Sequence, residues 1–309
     1  MSTMSKSYII FFKKLAILLL LLVAVDVLLG KLLAHYYFKM RTGQSARITY
    51  AMTKANEEVI VFGSSRANHN YVPGILEDIF HLKAYNAGVD GQSILYHYCV
   101  LKNIQLRVKP RVIILDLNVD EFAKDELSYN RLYALLPYYT VCKNIQPVVD
   151  LRSPYEPIKS LSNLYRYNSF ILPVILNTTL SRTDDSKKGY VPLHRSLDLN
   201  LPVGSSGKKS IETDSVKVNI FRSFIQDAKG SGANVFVFVS PRYQKQHSIT
   251  STIAIAEKIC SLQQVSFINY CESSFFNTHP EYFQDIFHLN NNGAEIYTRM
   301  ICEAIKNGR

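Results

Sequence analysis

Two short polar motifs contain the residue types of a serine nucleophile and its activating base. Ser65 stands in Phe-Gly-Ser-Ser-Arg over residues 62–66, directly after an apolar run. A serine here is expected at the carboxyl edge of a sheet and the start of a helix, where backbone N–H groups, its own included, can stabilise developing negative charge. The alternative is a helix N-cap, a position where serine is common.

The second motif is Asp285-Ile-Phe-His288, which precedes the last predicted helix. A serine hydroxyl is a poor nucleophile until a base takes its proton, and histidine suits that task near neutral pH. A carboxylate can orient the imidazole and stabilise its charged form. The alternative is a surface aspartate beside a capping histidine. Asp285 and His288 are therefore the candidate partners of Ser65.

Two further residues are of the types that bind an oxyanion. Gly88 ends Tyr-Asn-Ala-Gly over residues 85–88, and Asn118 ends Leu-Asp-Leu-Asn over 115–118. A glycine N–H and an asparagine side-chain amide are suitable donors for a developing oxyanion. A tight turn at Gly88 and an Asx turn at Asn118 are the structural alternatives.

These motifs are spaced by alternating apolar runs and helical patterns that begin near residue 57. Continuous apolar runs such as Val-Ile-Val-Phe at 59–62 are typical of strands buried on both faces. Strands are predicted at 59–62, 84–86, 112–115, 234–239 and 265–269, with helices between them. This alternation predicts an α/β domain with a doubly wound, parallel five-stranded sheet, in which ligands bind at the carboxyl ends of the strands.

Taken together, the four motifs resemble the sequence blocks of the SGNH (GDSL-type) hydrolase superfamily. The resemblance extends over residues 57–309, apart from an insertion, and implies the flavodoxin-like SGNH fold. It implies Ser65 as nucleophile, activated by His288 and Asp285. It also implies an oxyanion hole formed by the N–H groups of Ser65 and Gly88 and the side chain of Asn118. No metal or cofactor is expected.

Three positions, in two of the four motifs, depart from that family's pattern. The aspartate that usually precedes the nucleophile is Ser64, and the glycine and aspartate that usually flank the third-block asparagine are Asp116 and Val119. The Ser-His-Asp set itself is intact. The departures keep open an alternative function, a catalytically degenerate binding or assembly protein in cell-surface polymer biosynthesis.

The strand–helix alternation is lost over residues 121–210. This stretch is rich in tyrosine and contains polar pieces at 181–188 and 204–209. We predict an inserted cap region folded over the top of the sheet, where it would shape a substrate cleft or act as a lid.

The N-terminal region contains an apolar segment, residues 15–34, that is long enough to cross a membrane. As a helix it would measure about 30 Å. Residues 1–14 are predicted to be cytoplasmic and 35–56 to be a juxtamembrane linker. A cleaved signal peptide is the alternative, but no A-x-A-like site follows the segment. Asp26 interrupts it, either near the interface or in contact with a partner membrane protein.

The orientation of this segment is predicted from its position in the chain. Basic residues on its two sides nearly balance, so the positive-inside rule does not decide the matter. The short leading segment resembles a signal anchor. We therefore predict a single-pass protein with its N-terminus inside and its catalytic domain exported to the periplasmic or extracellular face.

Composition limits the class of protein and its partners. Of 309 residues, 47% are hydrophobic, enough for a sizeable core, and the net charge of +10 favours anionic neighbours such as phospholipid. No long basic run is present, so nucleic acid is not an expected partner. No phosphate-binding glycine motif follows the first strand, which argues against a nucleotide enzyme. Five scattered cysteines without C-x-x-C argue against a zinc ribbon, and the pairing of any disulfide stays open.

The sequence therefore predicts a membrane-anchored serine esterase or O-acyltransferase. With the anchor, the family resemblance implies a cell-envelope glycan whose acyl, first of all acetyl, esters are the substrate. Water or a sugar hydroxyl would take the acyl group from Ser65, and the sequence does not choose between them. The predicted partners are the lipid bilayer and the acylated glycan, with a multi-span membrane acyltransferase as a further candidate.

Overall fold

The computed structural model describes residues 3–179, 185–198, 212–243 and 251–307. In these residues one parallel sheet has the strand order β2-β1-β3-β4-β5. The strands are β1 (Val59–Gly63), β2 (Ala84–Asn86), β3 (Val112–Asp116), β4 (Asn234–Val239) and β5 (Ser266–Asn269). The predicted fold class, a parallel five-stranded α/β sheet of flavodoxin-like order, is confirmed.

The helices precede, connect and follow these strands. In chain order they are α1 (Thr3–Lys39), α2 (Gly43–Thr53), α3 (Ser65–Asn70), α4 (Pro73–Phe80), α5 (Ile94–Ile104), α6 (Glu126–Asn130), α7 (Gln146–Val149), α8 (Glu156–Lys159), α9 (Asn163–Tyr167), α10 (Ile171–Thr179), α11 (Ser215–Gly230), α12 (Ser251–Leu262), α13 (Ser274–Asn277) and α14 (Asn291–Asn307). Short 3₁₀ segments occur at Arg131–Tyr138, Lys143–Ile145, Asp150–Arg152, Asn168–Phe170 and Pro280–Tyr282.

Burial on both faces explains the continuous apolar runs of the central strands. Every residue of β1 and β3 is buried. On one face Val61 belongs to a core cluster with Tyr297 and Ile301 of α14. On the other face the ring of Phe62 lies 5.3 Å from that of Phe224 on α11. Each such side chain contributes about 1.5–3 kcal/mol by leaving water.

The strand order positions three chain segments next to one another. Strand β1 lies between β2 and β3: the chain passes from β1 to β2 on one side of it, and then from β2 across to β3 on its other side. At such a switch point the carboxyl ends of the strands open into a crevice. The segments that follow β1, β2 and β3 contain Ser65, Gly88 and Asn118 respectively.

Contacts divide the chain into two compact units. The α/β unit comprises residues 47–132 and 183–309, and the N-terminal unit comprises residues 1–46 and 133–182. This division differs from the prediction, which assigned all of 121–210 to the α/β domain and began that domain at residue 57. The predicted polar piece at 204–209, and part of that at 181–188, lie outside the described residues.

Aromatic packing explains why residues 133–182 cluster with the N-terminal helix. The ring of Tyr37 on α1 is fully buried and lies 4.9–6.1 Å from the rings of Tyr138, Tyr167 and Phe170. The hydroxyls of Tyr37 and Tyr138 are also 3.1 Å apart, within hydrogen-bonding distance. Two tyrosines and a phenylalanine of the predicted insertion therefore form a small core around the end of α1.

Helix α1 contains the predicted membrane segment and extends beyond it at both ends. Residues Ser7–Lys39 are long and apolar enough to cross a membrane, with a mean hydropathy of 2.6 over the most apolar stretch. Within this helix Asp26 is not without partners, because its carboxylate accepts hydrogen bonds from Ser162, Asn163 and Leu164 of the same unit. A contact with a partner membrane protein was one of the two alternatives for Asp26; here residues of the same chain supply its hydrogen-bond donors.

Candidate active site

Ser65 is the first residue of α3, two positions after β1 ends. Gly63 makes this turn with φ of +137°, and a Cβ there would lie 2.5 Å from the carbonyl oxygen of Asp116. Ser64 occupies the N-cap position and makes no capping hydrogen bond. Ser65 Oγ instead lies 2.8 Å from Nε2 of His288. Ser65 is therefore not the N-cap of α3, and its hydroxyl faces His288 instead.

The imidazole of His288 connects Ser65 to Asp285. Nδ1 of His288 lies 3.0 and 2.9 Å from the two carboxylate oxygens of Asp285. Because an ionised carboxylate only accepts, Nδ1–H donates to it, and in the neutral ring Nε2 is left to accept the Ser65 hydroxyl proton. This is the tautomer that a general base acting on Ser65 needs.

The charge state of Asp285 is set by these contacts. Partial burial acts most strongly and raises its pKa, but hydrogen bonds from the His288 ring and from the N–H groups of Phe287 and His288 together outweigh burial. The net effect is a pKa below the usual range. Asp285 is therefore ionised at neutral pH and can stabilise a charged His288 ring.

Two sets of contacts fix the loop that contains Asp285 and His288. Phe283 and Leu289 form an antiparallel bridge across it. The N–H of Leu289 donates to Oδ1 of Asn70, which is fully buried at the end of α3. Since Ser65 begins the same helix, Asn70 ties the histidine loop directly to the element that positions the serine.

Gly88 lies in the crevice but its amide is already used. The N–H of Gly88 donates to Oδ1 of Asn86 at 2.9 Å. Asn86 is buried, and its amide nitrogen in turn donates to the carbonyls of Ala67 and Tyr71, so its side chain is fixed. In this structure the Gly88 amide is therefore not free for the oxyanion role predicted for it, because the residue makes an Asx-type turn.

Gly91, which the sequence prediction missed, has its amide beside Ser64 and Ser65. Its N–H donates to Oγ of Ser64 at 3.1 Å, next to Ser65. Gly91 has φ of +69°, and a Cβ there would lie 2.1 Å from Nη1 of Arg131. Ser64 is only partly buried, and its hydroxyl can rotate away from the amide. The spacing of Gly88 and Gly91 gives no indication of which amide is free.

Asn118 follows β3 at the predicted place, and its side chain is oriented by Arg66. Nη2 of Arg66 donates to Oδ1 of Asn118 at 3.1 Å and to the carbonyl of Leu117 at 3.0 Å. Because a guanidinium only donates, the oxygen of Asn118 must face Arg66. The NH₂ group of Asn118 then points away from Arg66 as a donor, and Asn118 does not form the Asx turn proposed as the alternative.

Asp116 explains the position of Arg66. Its carboxylate lies 3.6 Å from Nε of Arg66 and accepts hydrogen bonds from the hydroxyls of Tyr71 and Ser240. Complete burial raises the pKa of Asp116, although Arg66 and the hydroxyls oppose that effect. Asp116 thus holds Arg66, the arginine that orients Asn118. No sequence signal indicated this pair.

A second aspartate–histidine pair flanks His288. The ring of His69 lies 5.8 Å from that of His288, and its Nε2 is 3.3 Å from Asp90. Nδ1 of His69 contacts the carbonyl of Val191 at 2.7 Å. Burial raises the pKa of Asp90, but hydrogen bonds from His69 and Asn68 lower it overall. His69 is therefore positioned beside the site by its contacts with Asp90 and the carbonyl of Val191.

In the part of the chain that the structure describes, no group of three or more His, Cys, Asp or Glu side chains is arranged to bind a metal ion. All five cysteines lie within that part and are free thiols. The described groups at the crevice are a serine, an oriented histidine, an ionised aspartate and N–H donors. Together they can activate a hydroxyl nucleophile and stabilise an oxyanion.

Comparisons with known proteins give little further help. No protein-family model matches the chain, and no curated protein matches it. Among solved structures the chain is similar to an acetyl xylan esterase, AlAXEase, with 12% identity and a TM-score of 0.41 over 80% of this chain and 98% of that chain. A likeness at this level leaves the function to be argued from the geometry of the site.

Proposed function

We propose that the chain is a serine esterase or O-acyltransferase with Ser65 as nucleophile. One observation carries the proposal: Ser65 Oγ lies 2.8 Å from His288 Nε2, while His288 Nδ1 lies within 3.0 Å of both oxygens of Asp285. This is the spacing and order that nucleophile, base and orienting carboxylate need. The rival function, a degenerate binding protein, would not require these three groups to keep that alignment.

The proposed reaction has two halves. Ser65 Oγ attacks the carbonyl carbon of an ester as His288 Nε2 takes its proton. The tetrahedral intermediate collapses to an acyl-serine, and His288 gives the proton to the departing alcohol. Water or a sugar hydroxyl then attacks the acyl-serine, with His288 taking its proton and returning it to Ser65. Asp285 stays ionised throughout and stabilises the charged ring.

Three donors support an oxyanion hole in this proposal. The N–H of Ser65 lies in the first turn of α3, where amides have no intrahelical acceptor. The NH₂ of Asn118 is oriented by Arg66, and the N–H of Gly91 replaces that of Gly88. Gly91 must give up its bond to the Ser64 hydroxyl to bind an oxyanion, whereas Gly88 would have to break a buried bond.

The substrate class and the location are parts of the same proposal. The apolar helix α1 supports a single-pass anchor, with the N-terminus inside and the α/β unit exported. An anchored enzyme with a net charge of +10 suits an anionic or polysaccharide substrate at a membrane surface. We therefore propose acyl esters, first of all acetyl esters, of a cell-envelope glycan, and retain a multi-span membrane acyltransferase as a candidate donor partner.

Turnover of a chromogenic acetyl ester by the detergent-solubilised full chain tests the proposal. Wild type and Ser261→Ala, which changes an exposed serine on α12, should release acetate at equal rates, whereas Ser65→Ala should not. Adding oligosaccharide acceptors then separates the two reactions, since transfer yields acetylated sugar in place of free acetate. Equal rates for wild type and Ser65→Ala, or no turnover of any acetyl ester, would favour the non-catalytic binding protein.

A further inference from the structure

The segment 162–177 lies alongside α1 in a parallel register. At its start, residues 162–164 surround Asp26: the N–H groups of Asn163 and Leu164 donate to the Asp26 carboxylate at 2.8 and 3.1 Å. The two segments also lie close together at Gly30, where an added Cβ would lie only 2.3 Å from Cβ of Asn163. These contacts fix the start of α9 at the level of residues 26–30 of the apolar helix.

Further along, the two segments stay together. The ring of Phe170 lies 4.9 Å from that of Tyr37, and Nδ2 of Asn177 donates to Oγ1 of Thr42 at 2.9 Å. The segment therefore begins beside Asp26 and ends beside the exit of α1 from its apolar stretch. Its first residues lie deepest along the helix.

The depth of that start follows from helix geometry. If residues 15–34 cross the hydrocarbon core, Asp26 is eight residues from the end nearer the folded domain, or about 12 Å. A carboxylate at that depth needs hydrogen-bond donors, because no water is available there. Ser162, Asn163 and Leu164 supply them. The bonds to Asp26 thus require residues 162–164 to accompany α1 into the membrane.

The residues just before and after this point expose large apolar side chains. Leu161 is 77% exposed and Ile158 is 68% exposed, although both belong to a compact unit. Exposed apolar side chains that cluster mark a surface that meets another apolar phase. We call the following residues the apolar patch: Tyr155, Ile158, Leu161, Ile171, Leu172 and Ile175.

The charged residues near the patch are compatible with lipid. Glu156 is fully buried and pairs with Arg152 at 2.5 Å and with Lys159 at 2.7 Å. The ammonium of Lys159 also lies 5.3 Å from the ring of Tyr165. The carboxylate of Glu156 is thus paired inside the unit, and the one excess positive charge can extend on the partly exposed Lys159 side chain towards the phosphate layer.

We propose that the apolar patch is a second membrane contact, inserted into the leaflet on the side of the folded domain and attached to the anchor through Asp26. The occupant of this surface is the lipid bilayer, because residues 162–164 are bonded to Asp26 within the apolar helix, which places Leu161 at hydrocarbon depth. Residues 171–175 follow beside the end of α1 and therefore lie at the membrane interface. The N-terminal unit then has one spanning element and one interfacial element. The inference rests on the proposed anchor and is independent of the chemistry of Ser65.

Tryptophan quenching tests the proposal directly, because the chain contains no tryptophan. Single variants Leu161→Trp and Leu172→Trp are reconstituted as full chains in vesicles of phosphatidylcholine and phosphatidylglycerol, with or without acyl-chain bromine. Leu20→Trp, within the anchor, is the inserted reference. Leu262→Trp is the matched exposed control, since Leu262 is 75% exposed on α12 of the α/β unit. Far-UV circular dichroism checks that each variant keeps its helix content.

The expected result is bromine quenching of Leu161→Trp at least half as strong as that of Leu20→Trp. Quenching of Leu172→Trp, at the interface, should be weaker than that of Leu161→Trp but at least threefold stronger than that of Leu262→Trp. Quenching of the patch variants at the Leu262→Trp level overturns the proposal. A blue-shifted emission that bromine does not quench also overturns it, since a protein partner then covers the patch. Failure to quench Leu20→Trp removes the anchor, and the inference with it, while ester turnover still tests Ser65.

Discussion

Ser65 Oγ and His288 Nε2 lie 2.8 Å apart although 223 positions separate them in the chain. Helix α3, which begins at Ser65, packs against α14, which follows the histidine loop. Asn70, at the end of α3, accepts a hydrogen bond from the amide of Leu289 in the histidine loop and so joins that loop to the helix. The contact between α3 and α14 thus places the proposed nucleophile beside its base.

Asp285→Ala should lower kcat/KM for an acetyl ester by about 10³- to 10⁴-fold, because the His288 ring loses the carboxylate that sets its tautomer and stabilises its charge. The measurement is steady-state ester hydrolysis at neutral pH. Asp227→Asn, which changes a partly exposed carboxylate bonded to Tyr98 and Lys102, is the control and should stay near wild type. A loss below tenfold for Asp285→Ala would contradict the role of this residue.

Arg66→Met should reduce kcat by about 10²- to 10³-fold, as Asn118→Ala should, because both remove the same oriented donor from the oxyanion. KM should change little. The double variant should be no worse than the poorer single variant, since the arginine acts through the asparagine. Arg111→Met, at an exposed arginine, is the control. Multiplicative losses in the double variant would show that Arg66 does not act by orienting Asn118.

The amide of Gly91, and not that of Gly88, should respond when Ser65 carries a phosphonyl group. A phosphonyl oxygen occupies the oxyanion position, so the Gly91 proton should move downfield while Gly88 keeps its bond to Asn86. Glycine-selective ¹⁵N labelling of the 13 glycines allows the comparison. A downfield shift at Gly88 alone would restore the original assignment.

His97 should make the α/β unit less stable in acid. Its side chain is buried, and burial lowers the pKa of His97 to about 3. An unfolded histidine titrates near pH 6.5, so below that pH the unfolded chain binds a proton that the folded chain does not. This stability is fully present above about pH 6.5 and falls by about 2 kcal/mol between pH 6.5 and 5.

His97→Phe tests that linkage because it removes the titration but keeps a ring. Urea midpoints of the full chain in detergent, measured between pH 5 and 7, should depend less on pH in the variant than in wild type. His81→Phe, at a histidine that follows α4, is a matched control. Parallel pH profiles for wild type and His97→Phe would contradict the prediction.

Asp26→Leu should loosen the start of α9. In this variant the amides of Asn163 and Leu164 lose their acceptor. Loss of a hydrogen bond to a charged group lowers the local stability by about 1.5–3 kcal/mol. Hydrogen exchange of these two amides should therefore be about tenfold faster or more. Exchange is measured by mass spectrometry on the full chain in nanodiscs. Asp26→Asn retains an acceptor oxygen and should show a smaller change. Unchanged exchange in Asp26→Leu would mean that these bonds do not hold the segment.

The fold could be predicted because its main signal is local. Buried parallel strands require continuous apolar runs, and the run at 59–62 became β1, with only Gly63 added. The short strand 84–86 was also found, since glycine follows it closely. The alternation predicted the parallel sheet, whereas the flavodoxin-like strand order was implied only by the family resemblance.

The details of the site depend on contacts that no spacing reveals. Whether a glycine amide is free depends on where the Asn86 side chain points, and so the sequence prediction named Gly88 and missed Gly91. Arg66 orients Asn118 only because Asp116 lies beside it after folding. The assignment of residues 133–182 to the N-terminal unit likewise depends on rings that meet around Tyr37, a contact without any periodic signal.

Covalent labelling tests the central claim most directly. The full chain is treated with a fluorophosphonate, and its intact mass and peptide map are determined for wild type, Ser65→Ala and Ser261→Ala. We predict one phosphonyl adduct on the peptide that contains Ser65 in wild type and Ser261→Ala, and none in Ser65→Ala. An adduct on a different residue, or a wild-type chain that reacts no more than Ser65→Ala, would contradict the assignment of Ser65 as the nucleophile.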